Sequence, residues 1–136
     1  MTFKYVTPPE FVAALPEAPF DLDVAADAIN RKAAQYYDEG MDGLRMEWYG
    51  KVWCNPPYSE PEKWIRKAIE ESKRPGVKVI VMLLKSDTGT RWFHDLLLPN
   101  AKIEFLRDRI RFNGERAPWP CLLVRFHNTN ESGGKK

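Results

Sequence analysis

The sequence predicts an α/β fold built on an open, mostly parallel sheet with an antiparallel element near the C-terminus. Strand-like segments alternate with amphipathic helical segments along most of the chain. Residues 77–84 (VKVIVMLL) are apolar almost throughout, which is typical of a parallel strand that is covered on both faces. Three further strand-like segments follow at 103–106, 109–112 and 121–126, and we expect the last two to form a hairpin.

The elements before residue 100 alternate between short strands and helices. In chain order they are a helix at 11–15, a strand at 20–26, a helix at 28–37, a strand at 51–55, a helix at 61–74, a strand at 77–84 and a helix at 90–98. The first helix is expected to begin at Thr7, with a proline in its first turn. Ser59 and Glu62 have capping-box spacing before the third helix, which Pro75 ends.

Length and composition indicate a single soluble domain. The chain has 136 residues, of which 43% are hydrophobic and 29% charged. We expect residues 1–127 to form the domain and residues 128–136 a flexible polar tail. No membrane span or secretory leader is evident, so a cytoplasmic protein is expected. The two cysteines, Cys54 and Cys121, form no CxxC pair, so we expect buried thiols and no metal site.

Charge is unevenly distributed along the chain. Residues 1–60 carry 5 basic and 10 acidic side chains, whereas residues 61–136 carry 16 basic and 9 acidic ones. Such an asymmetry is compatible with a face that binds a polyanion. Solvated helix faces and a basic C-terminus explain it equally well, so charge alone assigns no function.

Polar residues follow three of the predicted strands. In open α/β sheets, ligands bind beyond the C-terminal ends of the strands. This rule selects residues 23–27, 55–58 and 85–88 as the positions to examine for chemistry.

The tetrapeptide Asn55-Pro56-Pro57-Tyr58 is the most informative of these positions. The two prolines stiffen the loop that follows the strand. The Asn55 side-chain oxygen and the Pro56 carbonyl can together accept both hydrogens of a planar amino group, which favours attack of its nitrogen on an electrophile. Tyr58 can stack on the ring that bears the amine. The alternative is a proline turn that only ends the strand.

Six segments of the sequence carry a resemblance to a known family. In chain order they are TPPEF, FDLDVAAD, DGLRMEW, VWCNPPY, LLKSDTGTRWFHD and RDRIRFNG-ERAPWPCLLVRF. Together they resemble the phage-type (Dam-like) DNA N-6-adenine methyltransferase family over roughly residues 5–127. The resemblance implies a Rossmann-like S-adenosylmethionine-dependent methyltransferase fold with an antiparallel C-terminal hairpin.

The activity implied by the resemblance is direct transfer of a methyl group from S-adenosyl-L-methionine to the exocyclic amine of a flipped adenine in DNA. Residues 55–58 would hold that amine. Two alternatives stay open. The same loop occurs in methyltransferases that act on RNA or on a protein amide. A non-catalytic DNA-binding relative is also compatible, because Ala25 and Ala26 stand where many methyltransferases have a glycine-rich turn.

Cofactor contacts are expected by similarity at the N-terminal segment, the loop after the first strand and the motif itself. The candidates are Thr7, Pro8, Asp23, Ala25, Asp27, Asp42 and Asn55, with Asp38 and Glu47 as further acids. A carboxylate is expected on the ribose hydroxyls of the cofactor and another near its adenine amine. For each acid, a solvated loop or a helix cap is an equally good explanation.

DNA contacts are expected in the basic C-terminal half. The candidates are Lys85, Arg91, Arg107, Arg109, Arg111 and Trp119. The arginines at 107, 109 and 111 alternate, so they would share one face of a strand and pair with phosphates. Trp119 and Phe112 would flank the flipped base. We expect adenine-containing duplex DNA as the partner, either relaxed sequence specificity or a homodimer, and a phage or prophage in a bacterial host as the source.

Overall fold

The structure is a computed structural model that describes residues 6–112 and 115–128. Its elements in chain order are α1 (Pro9–Ala13), β1 (Phe20–Asp23), β2 (Ala33–Tyr36), a 3₁₀ turn (Gly43–Arg45), β3 (Gly50–Cys54), α2 (Pro61–Glu71), β4 (Val77–Lys85), a π-helical segment (Trp92–Leu97), α3 (Leu98–Asn100), β5 (Lys102–Phe105), β6 (Arg111–Phe112), β7 (Glu115–Arg116) and β8 (Cys121–His127).

Six of the strands form one sheet in the order β2–β1–β3–β4–β8–β5. The four strands from β2 to β4 are parallel, with Leu22 opposite Val52 and Val52 opposite Ile80. β8 lies antiparallel to both β4 and β5. The predicted class, a mostly parallel α/β sheet with antiparallel C-terminal strands, is therefore confirmed.

The antiparallel partners are not the ones that the sequence suggested. Residues 109–112 do not pair with 121–126. Instead β6 pairs with β7 in a separate two-stranded ribbon, and β8 enters the main sheet. Burial explains the difference, because residues 121–124 of β8 are all buried and need cover on both faces, whereas Arg111 is exposed.

Two apolar cores cover the two faces of the sheet. On one face Ile80 and Met82 of β4 pack with Ile65 of α2. On the other, Val81 of β4 packs with Trp53 and with residues of α1 and the C-terminal strands. The alternation along β4 between the two cores confirms that this strand is buried on both sides.

The predicted helix at 28–37 is wrong. That stretch is a loop followed by the edge strand β2. The Asp27 carboxylate accepts the N–H groups of Ile29 and Asn30, and the Asp23 carboxylate accepts that of Lys32 at 2.9 Å. These side chains bind the amides that a first helical turn would otherwise present, so they favour the loop. β1 also ends at Asp23, earlier than the predicted residue 26.

The helices also begin at other residues, or with other caps, than the sequence predicts. α1 begins at Pro9 and Thr7 does not cap it. α2 begins at Pro61 without a side-chain cap, so the capping box is absent, and Glu62 instead pairs with Arg66 one turn later. The predicted helix at 90–98 is π-helical over Trp92–Leu97.

Four apolar side chains of that last helix face the core. Phe93 and Leu97 are buried, and Trp92 and Leu96 pack against the same core while half-exposed. Among the described residues, no helix is long and apolar enough to cross a membrane.

Asn128 belongs to the folded chain, although the sequence assigns it to the tail. Its side chain is buried, and its Nδ2 donates to the carbonyl oxygens of Arg74 at 2.6 Å and Val77 at 2.7 Å. Residues 129–136, the rest of the predicted tail, lie outside the described residues.

Replacing Asn128 with alanine should destabilise the fold, because the buried carbonyl oxygen of Val77 and the partly buried one of Arg74 lose their donor. We expect the free energy of unfolding from urea denaturation to fall by about 1–3 kcal/mol. Asn100→Ala is the matched control, since Asn100 donates to Leu96 on the exposed surface, and it should cost less than about 0.5 kcal/mol. Equal losses in the two variants would contradict the anchoring role.

Candidate active site

The C-terminal ends of three neighbouring parallel strands meet at one edge of the sheet. β1 ends at Asp23, β3 ends at Cys54 just before Asn55, and β4 ends at Lys85. The three segments selected by sequence, 23–27, 55–58 and 85–88, therefore follow adjacent strands. This is the edge at which open α/β sheets bind ligands.

Asn55 is oriented by Thr7. The Asn55 Nδ2 donates to the Thr7 hydroxyl oxygen at 2.9 Å, across 48 residues of sequence. Thr7 is only 2% exposed, so this contact is shielded from water. Because the amide nitrogen is directed at Thr7, the carbonyl oxygen of the same side chain is directed elsewhere in the site. Thr7 thus joins the N-terminal segment to the motif instead of capping a helix.

Asp23 is a buried carboxylate beside Asn55. It accepts the backbone N–H groups of Lys32 at 2.9 Å and Ala25 at 3.3 Å. Burial raises its pKa to about 6, and the two backbone hydrogen bonds and the Lys32 charge only partly oppose this. Burial also lowers the pKa of Lys32.

A water-sized cavity of about 30 Å³ lies between these groups. Its lining residues include five of the predicted cofactor contacts on three segments, together with two polar residues that sequence reasoning missed. They are Thr7, Asp23, Ala25, Asp27 and Asn55, with Asn30 and Lys32. The missed residues lie in the stretch taken for a helix, where no local pattern points to the sheet edge.

Asp42 lines a second, larger cavity, so the structure separates it from Asp23 and Asp27. This cavity has about 270 Å³ and is lined by Val24, Asp38, Glu39, Asp42, Gly43, Leu44, Glu60, Lys63 and Trp64. Asp42 has a positive φ of 61° and accepts the Leu44 N–H at 3.2 Å. Asp27 likewise organises its own loop, and its hydrogen bonds from the Asn30 backbone lower its pKa.

Gly43 and Trp64 were not expected at a ligand site. A Cβ on Gly43 would lie 2.1 Å from the Val24 carbonyl oxygen, so only glycine allows this close approach. Trp64 is buried, and no acceptor among the described residues lies within hydrogen-bonding distance of its Nε1. Gly43 lies in the DGLRMEW segment, and Trp64 lies on the buried face of α2.

Tyr58 packs into an aromatic cluster formed with Phe112 and Trp119. The ring centroids of Tyr58 and Phe112 are 6.3 Å apart, and those of Tyr58 and Trp119 are 5.7 Å apart, both at 74°. The Lys85 Nζ lies 4.5 Å from the centre of the Trp119 ring. Two residues predicted to contact DNA therefore contact each other beside the motif.

The predicted arginine face is wrong. Arg111 lies in β6, but Arg107 and Arg109 lie in the bend before it, so the three do not share a strand. The Arg109 guanidinium donates to the Ala117 carbonyl, which ties the bend to the segment after the ribbon. All three side chains are exposed, as is Arg91 at the start of the π-helical segment.

The fold is that of the Rossmann-like methyltransferases. A 23S rRNA methyltransferase matches with a TM-score of 0.54 at 14% identity, over 88% of this chain and 65% of that one. A dimethyladenosine transferase from Plasmodium falciparum matches with a TM-score of 0.56 at 13% identity, over 92% and 61%. At these identities the likeness concerns the fold alone. The fold class is therefore the Rossmann-like methyltransferase fold.

Sequence similarity then identifies the particular family. Residues 4–130 match the model of the DNA N-6-adenine-methyltransferase (Dam) family. The DNA N-6-adenine-methyltransferase of Haemophilus phage HP1 (strain HP1c1) is 39% identical over 127 residues, 86% of this chain and 72% of the phage protein. That of Escherichia phage T1 is 39% identical over 92 residues, 64% of this chain and 37% of that protein. The chain belongs to the DNA N-6-adenine-methyltransferase family, as its motifs predict.

The raised pKa of Asp23 makes stability depend on pH in a defined direction. Between about pH 4 and pH 6 the native state holds a proton that the unfolded state has released, so the free energy of unfolding falls as the pH rises. Relative to Asp23→Asn, the wild type should lose about 3 kcal/mol between pH 4 and pH 7. Urea denaturation of both proteins across this range measures the difference.

Asp27→Asn is the control for this titration, because the pKa of Asp27 is shifted in the opposite direction. The lowered pKa of Asp27 stabilises the wild type above about pH 4, and this advantage is lost as the pH falls further. Parallel stability curves for wild type and Asp23→Asn from pH 4 to pH 7 would refute the assignment to Asp23.

Proposed function

We propose that the protein transfers a methyl group from S-adenosyl-L-methionine to the N6 amine of adenine in DNA. The observation that carries the proposal is the Asn55 side chain, which Thr7 orients at the sheet edge next to the buried Asp23. Family membership supplies the reaction class, and this contact supports assigning the amine to the Asn55–Tyr58 loop.

The residues present fit the cofactor. S-adenosyl-L-methionine supplies an electrophilic methyl group on a sulfonium centre. The carboxylates of Asp38 and Asp42 line the larger cavity and suit ribose hydroxyls as hydrogen-bond acceptors. The buried Trp64 Nε1 is a donor in need of an acceptor, which an adenine ring provides. Asp23 suits the charged methionine end.

The loop after β1 is close-packed even though it has Ala25 and Ala26 where many methyltransferases have glycines. Ala25 and Ala26 are 7% and 4% exposed, so their methyl groups are turned largely away from solvent. The close approach that glycine usually permits here is instead made by Gly43 against Val24. We infer that Thr7, Pro8 and Asp27 complete the cofactor contacts from the other side of this loop.

The Asn55–Tyr58 loop would activate the target amine by hydrogen bonding. With Nδ2 engaged by Thr7, the Asn55 carbonyl oxygen and the Pro56 carbonyl accept the two amino hydrogens. This withdraws the nitrogen lone pair from the adenine ring and favours its tetrahedral geometry. Pro57 keeps the loop rigid, and Tyr58 stacks on the base. After transfer, the amine releases its proton to water, so the step needs no histidine base.

Four exposed arginines and the half-buried Lys85 would bind the DNA backbone. We assign the phosphate contacts to Lys85, Arg91, Arg107, Arg109 and Arg111. Trp119 is assigned to contact the extruded base. Duplex DNA fits the need to extrude an adenine. A domain that ends near Asn128 offers few loops for reading bases, which favours relaxed sequence specificity or a homodimer.

Asn55→Ala should abolish catalysis and retain cofactor binding. Loss of one preorganised hydrogen bond to the reacting group costs about 10²–10³ in kcat. We expect labelled-methyl transfer to adenine-containing duplex DNA to fall by at least this factor. Calorimetric titration of S-adenosyl-L-methionine should show affinity within about threefold of wild type, since most proposed contacts remain. Asn100→Ala, an exposed site, should leave both measurements unchanged.

The acceptor is tested in the same assay with RNA and with protein in place of DNA. Label in N6-methyladenine of DNA supports the proposal. If label appears only in RNA or only in protein, that molecule is the methyl acceptor and DNA is not. Absence of cofactor binding, even with DNA present, would overturn the enzymatic function and leave a DNA-binding relative.

Phosphate contacts predict a change in salt dependence. Replacing both Arg107 and Arg111 with glutamine should lower the slope of log affinity against log salt by about 2, because each neutralised phosphate contributes about 0.9. Fluorescence anisotropy with labelled duplex DNA in 50–200 mM salt measures the slope. Lys78→Gln, an exposed cation near the opposite end of β4, is the control. An unchanged slope in the double variant would show that these arginines do not contact the DNA phosphates.

A further inference from the structure

The strand at one end of the sheet, β5, has an edge that no other strand covers among the described residues. On its other side, β5 pairs antiparallel with β8. The Leu106 N–H donates to the Cys121 carbonyl oxygen at 3.2 Å, so Leu106 and every second residue before it direct their backbone groups towards β8. The N–H and C=O groups of Ile103 and Phe105 therefore point to the uncovered edge, where a further strand can bind them.

The side chains along this edge alternate between an apolar face and a charged face. Extended backbone begins at Ala101, with φ −134° and ψ 156°, so residues 101–105 form one extended segment. Ala101 and Ile103 pack against the core on the apolar face, but Phe105 on the same face is 58% exposed. Leu98, in α3 just before the segment, is 53% exposed. Large apolar groups thus remain in solvent beside an unpaired strand edge.

We propose that the protein forms a homodimer in which residues 101–105 pair antiparallel with the same residues of a second copy, about a two-fold axis at Ile103. The two Ile103 residues would then exchange N–H···O hydrogen bonds. Each Phe105 N–H would donate to the Ala101 carbonyl oxygen of the other copy. The two sheets would join into one continuous sheet, which covers the open edge of both copies. This inference concerns assembly and goes beyond the proposed function.

The order of residues in the segment is complementary to itself in this register. About Ile103, Lys102 of each copy lies opposite Glu104 of the other. The large Phe105 ring lies opposite the small Ala101 side chain. A register centred on Lys102 or on Glu104 would instead place two like charges directly opposite each other. The other edge strand, β2, carries no charged residue, so this charge complementarity belongs to the β5 edge.

Glu104 is already oriented for this pairing by Arg125. The Arg125 Nη1 lies 2.8 Å from Glu104 Oε1, and the Arg125 Nε lies 2.5 Å from Glu17 Oε2. The Glu104 carboxylate is thus held on the charged face, and its Oε2 can accept from Lys102 of the second copy. Because exposed ion pairs contribute little to affinity, the charges select the register. Backbone hydrogen bonds and burial of Phe105 supply the attraction.

Sedimentation velocity of the wild type tests whether the dimer exists. So short a segment buries less area than a typical stable interface, so we expect a dissociation constant in the micromolar range. A concentration series from about 1 to 200 μM should show monomer converting to dimer.

Charge reversal tests the register. Lys102→Glu alone and Glu104→Lys alone each place like charges opposite each other twice in a symmetric dimer, so each should weaken dimerisation at least about tenfold. Mixing the two variants restores both Lys–Glu pairs, so the mixture should form a heterodimer with an affinity within about threefold of wild type. Lys78→Glu, which reverses an exposed charge on β4, is the matched control and should dimerise as the wild type does.

A second pair of variants tests the backbone contact without changing charge. Phe105→Ala and Phe105→Pro both remove the exposed ring, but only proline also removes the outward N–H. Proline is tolerated at this position because that N–H does not bind β8. We expect Phe105→Pro to dimerise about tenfold more weakly than Phe105→Ala, since the symmetric dimer loses two hydrogen bonds. This pair also tests the interface if Glu104→Lys, which loses its contact with Arg125, does not fold.

Four results would overturn the interface. They are a monomeric wild type at about 200 μM, wild-type dimerisation in both charge-reversal variants, a mixture of folded variants that does not associate, and equal affinities in Phe105→Pro and Phe105→Ala. A wild type that dimerises but transfers no methyl group would instead refute the proposed function alone, so the two failures are distinguishable.

Discussion

Burial of β4 on both faces is the constraint on which the rest of the structure depends. Its nine residues from Val77 to Lys85 pair with β3 on one side and β8 on the other. Alternate side chains from Val79 to Leu84 enter two separate cores, so neither face tolerates a charge along this stretch. Polar residues are therefore confined to the strand ends, and the parallel neighbours of β4 bring theirs to the same edge.

The site itself depends on contacts between segments that are far apart in sequence. Asn55 is oriented by Thr7, and the Tyr58 ring packs against residues more than 50 positions later. Asp23 is buried at a cost, since its raised pKa means that the charged form is disfavoured in the folded protein. Such a group is typical of a functional site, where stability is lowered in favour of a ligand-binding arrangement.

Local pattern identified most of the fold because strong periodicity reflects burial. The alternating strands and helices, the buried β4 and the apolar face of residues 92–97 all follow from the spacing of apolar side chains. The pattern failed at 28–37, where two aspartates bind backbone amides and override helical propensity. It failed again for the arginines near residue 109, because alternation in a short polar stretch does not require a strand.

The sequence by itself determined the sheet class, the Asn55–Tyr58 loop and the family, since these depend on residue order and local spacing. The tertiary structure decided which acid lies in which cavity, that Thr7 orients Asn55, and that Tyr58 packs against Trp119. Strand pairing between distant segments produces these contacts. The register and order of the strands are set by burial across the whole sheet, which no local stretch of sequence contains.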